Sequence, residues 1–166
     1  MKVLSLHRKP KTTGERGIPK PAFDELTVTV AGVDGDYNRY RSESCDGDPD
    51  HAVLILPTEI IRTLNEEGWA VAPGDLGENI TTEGVEEFAP GTRLSIGEVV
   101  LEISEPCVPC SNLRILPYVG PTKQKAFIQT LLGRRGDYAR VLGGGTIRLG
   151  DAITVRVPSS SSRTSG

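Results

Sequence analysis

The sequence predicts a mainly β domain with accessory helices, and three observations carry that expectation. Glycine and proline are abundant, at 19 and 12 of 166 residues, against an average combined usage of roughly 12%. That excess favours short strands joined by turns. Leu26–Val33 (LTVTVAGV) alternates apolar and polar side chains with the period of a half-buried strand. Thr92–Ile96 and Val99–Ser104 are runs rich in β-branched residues separated only by Gly97-Glu98, a hairpin signal. No internal repeat and no linker interrupts this pattern. One domain is expected over 1–157, followed by a serine-rich, disordered tail over 158–166.

The elements follow in order. Val3–Leu6 is a short apolar strand. From Arg8 to Lys20 the chain carries Arg8, Lys9, Lys11, Arg16 and Lys20 against Glu15 alone, and its prolines and glycines make it a loop. Most of these cations read as a solvated surface, although cations beside glycine amides can also hold a phosphate. After Leu26–Val33, Asp34–Asp50 is an acidic loop without the spacing of a calcium site. Ala52–Leu56 (AVLIL) reads as a buried strand. Thr58 is placed as the N-cap of a helix that buries Ile60, Ile61 and Leu64, packs Trp69 into the core and stops at Gly68. Ser111–Leu116 offers a helical turn, broken by Pro117, Gly120 and Pro121. A second helix is expected over Thr122–Leu132, with Arg134 and Arg135 read as charges favourable to its C-terminal dipole ahead of contacts to an anionic ligand. Tyr138–Leu142 and Ala152–Val157 close the fold as strands. Gly143-Gly144-Gly145 lacks the pattern of a dinucleotide-binding turn and reads as a tight connection.

Composition narrows the function classes. The hydrophobic fraction is 37%, the charged fraction 25% and the net charge -3, which gives no reason to expect a nucleic-acid partner. No run reaches transmembrane length and no signal-peptide pattern follows Met1-Lys2, so neither membrane association nor export is expected and the cytoplasm is the default. The three cysteines, Cys45, Cys107 and Cys110, form an odd set, expected to rest as thiols.

The chain is organised around Gly74–Cys110, where a glycine-punctuated loop leads through the hairpin to a Cys-Val-Pro-Cys turn. Four readings of that turn stand side by side. The cysteines can be structural thiols. A zinc site would need Cys45, His7 or His51 to complete it. A redox dithiol would use strand, C-x-P-C and helix start, though without the surrounding βαβ pattern. The fourth is one working thiolate, Cys110, serving as a soft metal ligand or as a sulfur nucleophile.

GDLGENITTEGV, then PGTRLSIGEVVLEI, then Pro109-Cys110 together resemble the MOSC domain, the family named for the C-terminal domain of molybdenum cofactor sulfurase. The resemblance extends upstream through GIPK and GVDGD, downstream through GDYARVLGGGTIRLGD, and covers Val3 to about Val157. It implies a closed, complex-topology β-barrel. It also implies the molybdenum cofactor, a molybdopterin, as ligand, with Cys110 as the metal-binding and catalytic thiolate. Lys20 in the G-x-P-K motif would answer the cofactor phosphate. Gly77 and Asn79 would supply hydrogen bonds to the pterin, and Arg114 is a further cofactor-binding candidate beside Cys110. The implied activity is that of a molybdenum oxidoreductase acting on N-hydroxylated compounds with an electron-transfer partner. The alternatives are a carrier holding a persulfide on Cys110, supplied by a sulfur-donor protein, and a Cys107/Cys110 redox dithiol. Many relatives carry a histidine after the Gly-Asp of GVDGD. Here Tyr37 and Asn38 follow, and His51 is the residue that could fill equivalent space.

Overall fold

The structure is a computed structural model that describes residues 1–84 and 87–159. From residue 160 onward the expected tail lies outside the described residues. The strands are β1 (Lys2–His7), β2 (Ala22–Phe23), β3 (Glu25–Thr29), β4 (Gly32–Val33), β5 (Val53–Pro57), β6 (Ile80–Glu83), β7 (Arg93–Ile96), β8 (Val99–Pro106), β9 (Asp137–Gly143), β10 (Gly145–Arg148) and β11 (Ile153–Arg156). The helices are α1 (Arg39–Ser44), α2 (Thr58–Glu66) and α3 (Gly120–Leu131), with short 3-10 turns at Pro49–His51 and Ser111–Ile115. Among the described residues, no helix is long and apolar enough to cross a membrane.

An eight-stranded mixed sheet has the order β11-β7-β8-β9-β5-β6-β1-β2, and a three-stranded antiparallel sheet has the order β10-β3-β4. The expected mainly β character holds, but the closed barrel does not form. The large sheet is open, with β11 and β2 at its edges. The reason lies in β1, whose free side is divided. Leu6 and His7 pair with β2, while the other end of the strand meets the chain before β11 through the isolated Lys2–Ala152 bridge and the backbone bond from Val3 N to Asp151 O. A strand shared in this way carries no continuous ladder to β11.

Strand β5 is the hub. All five of its residues are buried, as its unbroken apolar run requires of a strand covered on both faces. It runs parallel to β6 and antiparallel to β9, with α2 in the crossover. Val53 and Ile55 join the main core with Leu26, Val28, Leu101 and Ile147, drawn from both sheets. Leu56 faces a second core built from Ile61 and Leu64 of α2, Phe127 and Leu131 of α3, and the loop residues Leu76 and Leu113. Leu54 contacts Cys107 and Tyr138.

The β7–β8 hairpin forms as read, with Ile96 opposite Val99. Gly97 has φ +57°, at the first central position that type II′ turns reserve for glycine. Leu26–Val33 differs from expectation. Leu26 and Val28 face inward as the alternation requires, but the chain reverses after Thr29 and Val33 returns opposite Val28. The Val30-Ala31 turn contains no turn-forming residue; the Thr29 hydroxyl accepts from Ala31 N at 3.2 Å instead. Thr58 is the first helical residue and Pro57 the cap. Helix α3 starts before Thr122 because a proline is tolerated in the first turn.

Asp137, at the start of β9, carries a pH signature. Burial, and then the negative charge of Glu87, pushes its carboxyl from an ordinary 3.8 up to about 6. The folded chain therefore holds this proton more tightly than the unfolded chain. Its contribution is fully present below the unfolded value and is lost as pH rises through about 6. Thermal melting between roughly pH 4 and pH 7 is expected to show this decline, and Asp137→Asn is expected to flatten it.

Candidate functional site

A cavity of about 490 Å³ opens where the Arg16–Lys20 loop, α1, the end of β8, the 107–112 turn and Arg135 meet, with Gly77 in its wall. Beyond Pro106 the chain stays close to extended. Cys107 and Pro109 are buried while Val108 and Cys110 are exposed, so burial alternates along the turn. The two cysteines, three residues apart, therefore face opposite sides. Cys107 packs with Leu54 and Tyr138, and burial pushes its thiol up. Cys110 lines the cavity and precedes the 3-10 turn of Ser111–Ile115. All three cysteines are free thiols.

Beside Cys110 stands Arg135. Its guanidinium is 8% exposed and binds three points on the cavity wall. Nη1 donates to Val108 O at 3.0 Å and lies 3.6 Å from Cys110 Sγ, and Nη2 donates to Leu76 O at 3.3 Å. Nε is buried without a hydrogen-bond partner. No carboxylate pairs with this cation among the described residues. Burial works against its charge, the neighbouring sulfurs of Cys107 and Cys110 work for it, and the net direction is upward. The position is held by Gly136, whose φ is +81° and whose missing side chain leaves room for the backbone carbonyl of Ile55. Gly136 O in turn accepts from Cys107 N at 2.9 Å, which locks the cysteine turn to β9.

This corrects the reading of the two arginines as dipole charges. Helix α3 ends at Leu131 with no basic residue in its last turn, and the pair then diverges. Arg134 reaches Glu67 through two hydrogen bonds of 3.1 and 3.0 Å, while Arg135 turns inward. Gly133 marks the end of the helix before the pair, but it does not tell which way Arg135 turns.

Of the remaining residues named from sequence, Lys20 and Gly77 line the cavity, and Asn79 and Arg114 do not. The Lys20 ammonium is 2.6 Å from Asp36 Oδ2, with both side chains almost fully buried. Asn79 stands behind that pair. Its Oδ1 accepts from Leu54 N at 3.1 Å, and its Nδ2 donates to His7 O at 3.1 Å and to Asp36 Oδ2 at 2.9 Å. Every group of its amide is thus engaged within the fold. Arg114 is exposed on the 3-10 turn. Arg16, named from sequence only among the loop's cations, lines the cavity together with Arg39 and Asn112, which were not singled out. Asn112 links the other two, accepting from Arg39 Nη1 at 3.4 Å and donating to Arg16 O at 3.2 Å. Asn38, in the region where relatives carry a histidine, caps α1 and donates to His51 O at 3.2 Å.

The fold is that of a MOSC domain. Residues 42–154 match the MOSC domain family model, and the chain belongs to that family. It superposes on the YuaD protein from Bacillus subtilis with a TM-score of 0.76 at 20% identity, covering 93% of this chain and 94% of that one. YiiM from Geobacillus stearothermophilus gives a TM-score of 0.67 at 27% identity, covering 93% of this chain and 73% of that one. YiiM from Escherichia coli gives 0.65 at 24% identity, covering 96% and 72%. No curated protein matches the chain at a significant level.

The buried polar cluster behind the cavity makes a stability prediction. Lys20→Met leaves the Asp36 carboxylate buried without its cation, which costs roughly 3–5 kcal/mol. Asn79→Ala removes three buried hydrogen bonds and is expected to cost about 2–4 kcal/mol. Denaturant unfolding measures both. An Asn79→Ala protein as stable as the parent would free Asn79 for a ligand-binding role.

Proposed function

We propose that the cavity binds the molybdenum cofactor, with the Cys110 thiolate as the metal ligand, and that the chain serves a molybdenum oxidoreductase acting on N-hydroxylated compounds. The observation that carries this reading is the pairing of an accessible thiol with a buried guanidinium that has no carboxylate partner among the described residues. A thiolate is a soft donor suited to molybdenum. A buried cation with an unpartnered Nε calls for a negative group in the space it faces. The residues present fit an anionic, polar ligand on both counts. The cavity volume lies within the ordinary range for a small-molecule site.

Within this reading each side chain has a distinct task. Cys110 donates sulfur. Arg135 stabilises negative charge beside that sulfur and, through Val108 O and Leu76 O, keeps the two walls at a fixed separation. Arg16 offers a further cation for a phosphate. Lys20 is already answered by Asp36, so it adds to the local field and holds the G-x-P-K loop in place. Gly77 lets the backbone of its loop form part of the wall. When bound, the cofactor supplies two-electron redox chemistry at the metal. The overall conversion takes an N-hydroxyl compound, two electrons from an electron-transfer partner and two protons to the amine and water.

The test is metal analysis of protein produced in a host that makes the cofactor. Near-stoichiometric molybdenum is expected for the parent and for Cys107→Ser, and its loss for Cys110→Ser. Arg135→Gln removes hydrogen bonds to a charged group and is expected to weaken retention roughly 10- to 100-fold. Protein that carries a persulfide on Cys110 and no molybdenum would overturn this reading in favour of a sulfur carrier. Equal losses from Cys107→Ser and Cys110→Ser would point to a dithiol.

A further inference from the structure

Cys110 is an exposed thiol in a cavity whose charges are unevenly answered. Lys20 is held by Asp36 at 2.6 Å, Glu43 by Arg39 at 2.8 Å, and Glu105 meets His51 at 2.5 Å. Two cations of the lining, Arg135 and Arg16, have no carboxylate partner among the described residues. Arg135 is 8% exposed, has an unpartnered Nε and stands 3.6 Å from Cys110 Sγ. Arg16 reaches the cavity from its rim, and its carbonyl accepts from Asn112 Nδ2 at 3.2 Å. A thiol between two uncompensated guanidiniums is a nucleophile set to meet an anion.

The second cysteine of the turn is out of reach. Cys107 is buried against Leu54 and Tyr138 on the other side, and its backbone N is held by Gly136 O at 2.9 Å. In near-extended chain, residues three apart have Cα atoms about 10 Å apart, beyond the roughly 7 Å that a disulfide spans. A disulfide formed between Cys110 and a small molecule therefore has no neighbouring thiol to break it. Cys45 offers a contrast within the same chain. It is partly buried, lies outside the cavity lining, and is followed by Asp46 and Asp48.

We propose that Cys110 of the cofactor-free protein is a modification site for small disulfides that carry carboxylates. The reaction is a thiol–disulfide exchange. Cys110 gives its S–H proton to water, and its sulfur attacks one sulfur of the reagent. A new S–S bond forms, the reagent's S–S bond breaks, and the other half leaves as a thiolate that takes up a proton. Two electrons pass from the Cys110 sulfur to the leaving half, so the reagent is the oxidant. Arg135 and Arg16 attract the carboxylates, and Arg135 also stabilises the negative charge shared among the three sulfurs in the transition state. The mixed disulfide persists and caps the sulfur until an external thiol removes it. This activity goes beyond the cofactor reading and does not rest on it.

The experiment treats cofactor-free protein with oxidised glutathione, which is anionic, and with cystamine, which is cationic. Peptide mass spectrometry follows each cysteine separately. Each rate is divided by that of the same cysteine in the urea-unfolded chain, which removes the intrinsic difference between the reagents. At low salt, folding is expected to shift the Cys110 ratio toward oxidised glutathione roughly 10- to 100-fold, and added salt is expected to shrink the shift. Cys45 is expected to shift toward cystamine. Arg135→Gln and Arg16→Gln should each reduce the Cys110 shift, and Arg16→Gln, at the rim, should do so with an unchanged melting temperature. The glutathione cap should stay on Cys110, with no Cys107–Cys110 disulfide formed. An unshifted ratio at Cys110, a shift unchanged in both arginine variants, or conversion of the cap to an internal disulfide overturns the proposal. Molybdenum content plays no part in this readout, so failure of the cofactor reading leaves it intact.

Discussion

The fold behind the cavity depends on one buried ion pair. Lys20 and Asp36 meet at 2.6 Å, and Asn79 donates to the same carboxylate oxygen. These three residues come from GIPK, GVDGD and GDLGENITT, which lie far apart in sequence. Asp36 Oδ1 also accepts from Lys9 N at 2.9 Å, and Asn79 fastens the group to β5 and β1 through Leu54 N and His7 O. A buried charge pair of this kind adds little net stability compared with apolar packing, but it is costly to break and specific in what it joins. It brings the cavity-forming loops to the central strand β5. Three of the segments that made the chain resemble its family therefore converge on this pair.

That convergence explains how much of the molecule was legible in the sequence. Local signals were read correctly where they decide local structure. The Gly97-Glu98 hairpin, the doubly buried β5 and the helix after Pro57 all stand where propensity and period place them. Relations between distant segments were not legible. In LTVTVAGV only Gly32, which closes the turn with φ +121°, hints at the reversal at Val30-Ala31, and the regular alternation overrode that hint. The barrel failed as an expectation because closure depends on whether the free side of β1 pairs with one strand or is divided between two, and no local pattern records that choice. At the site, Cys110, Lys20 and Gly77 were readable from motifs. Arg135 was not, because an arginine after a helix looks the same whether it caps the helix or turns into a cavity.

The placement of Cys107 and Cys110 shows how simple the geometry is. In extended chain, residues three apart point to opposite sides, and no special distortion is needed to bury one thiol and expose the other. Pro109 is buried against the fold and Val108 is not, so burial alternates from Cys107 through to Cys110. The anchor is Cys107 N bound to Gly136 O, and Gly136 follows Arg135. One contact thus sets both the sulfur and the guanidinium that faces it.

The two buried cations of this region have opposite electrostatic standing. Lys20 is compensated by Asp36, and the charge of that pair is closed within the protein. Arg135 has hydrogen bonds to two carbonyls and a close approach to sulfur, but no carboxylate among the described residues, and its Nε remains open. In a low-dielectric setting an uncompensated guanidinium favours whatever negative charge can reach it. Such charge can come from the sulfur at 3.6 Å or from an anionic ligand in the cavity. Under the proposed function, a ligand that brought negative charge and a soft metal to Cys110 would satisfy the guanidinium and the sulfur together. The fold keeps its balanced ion pair behind the wall and its unbalanced cation at the wall, and that imbalance is what the proposed ligand would answer.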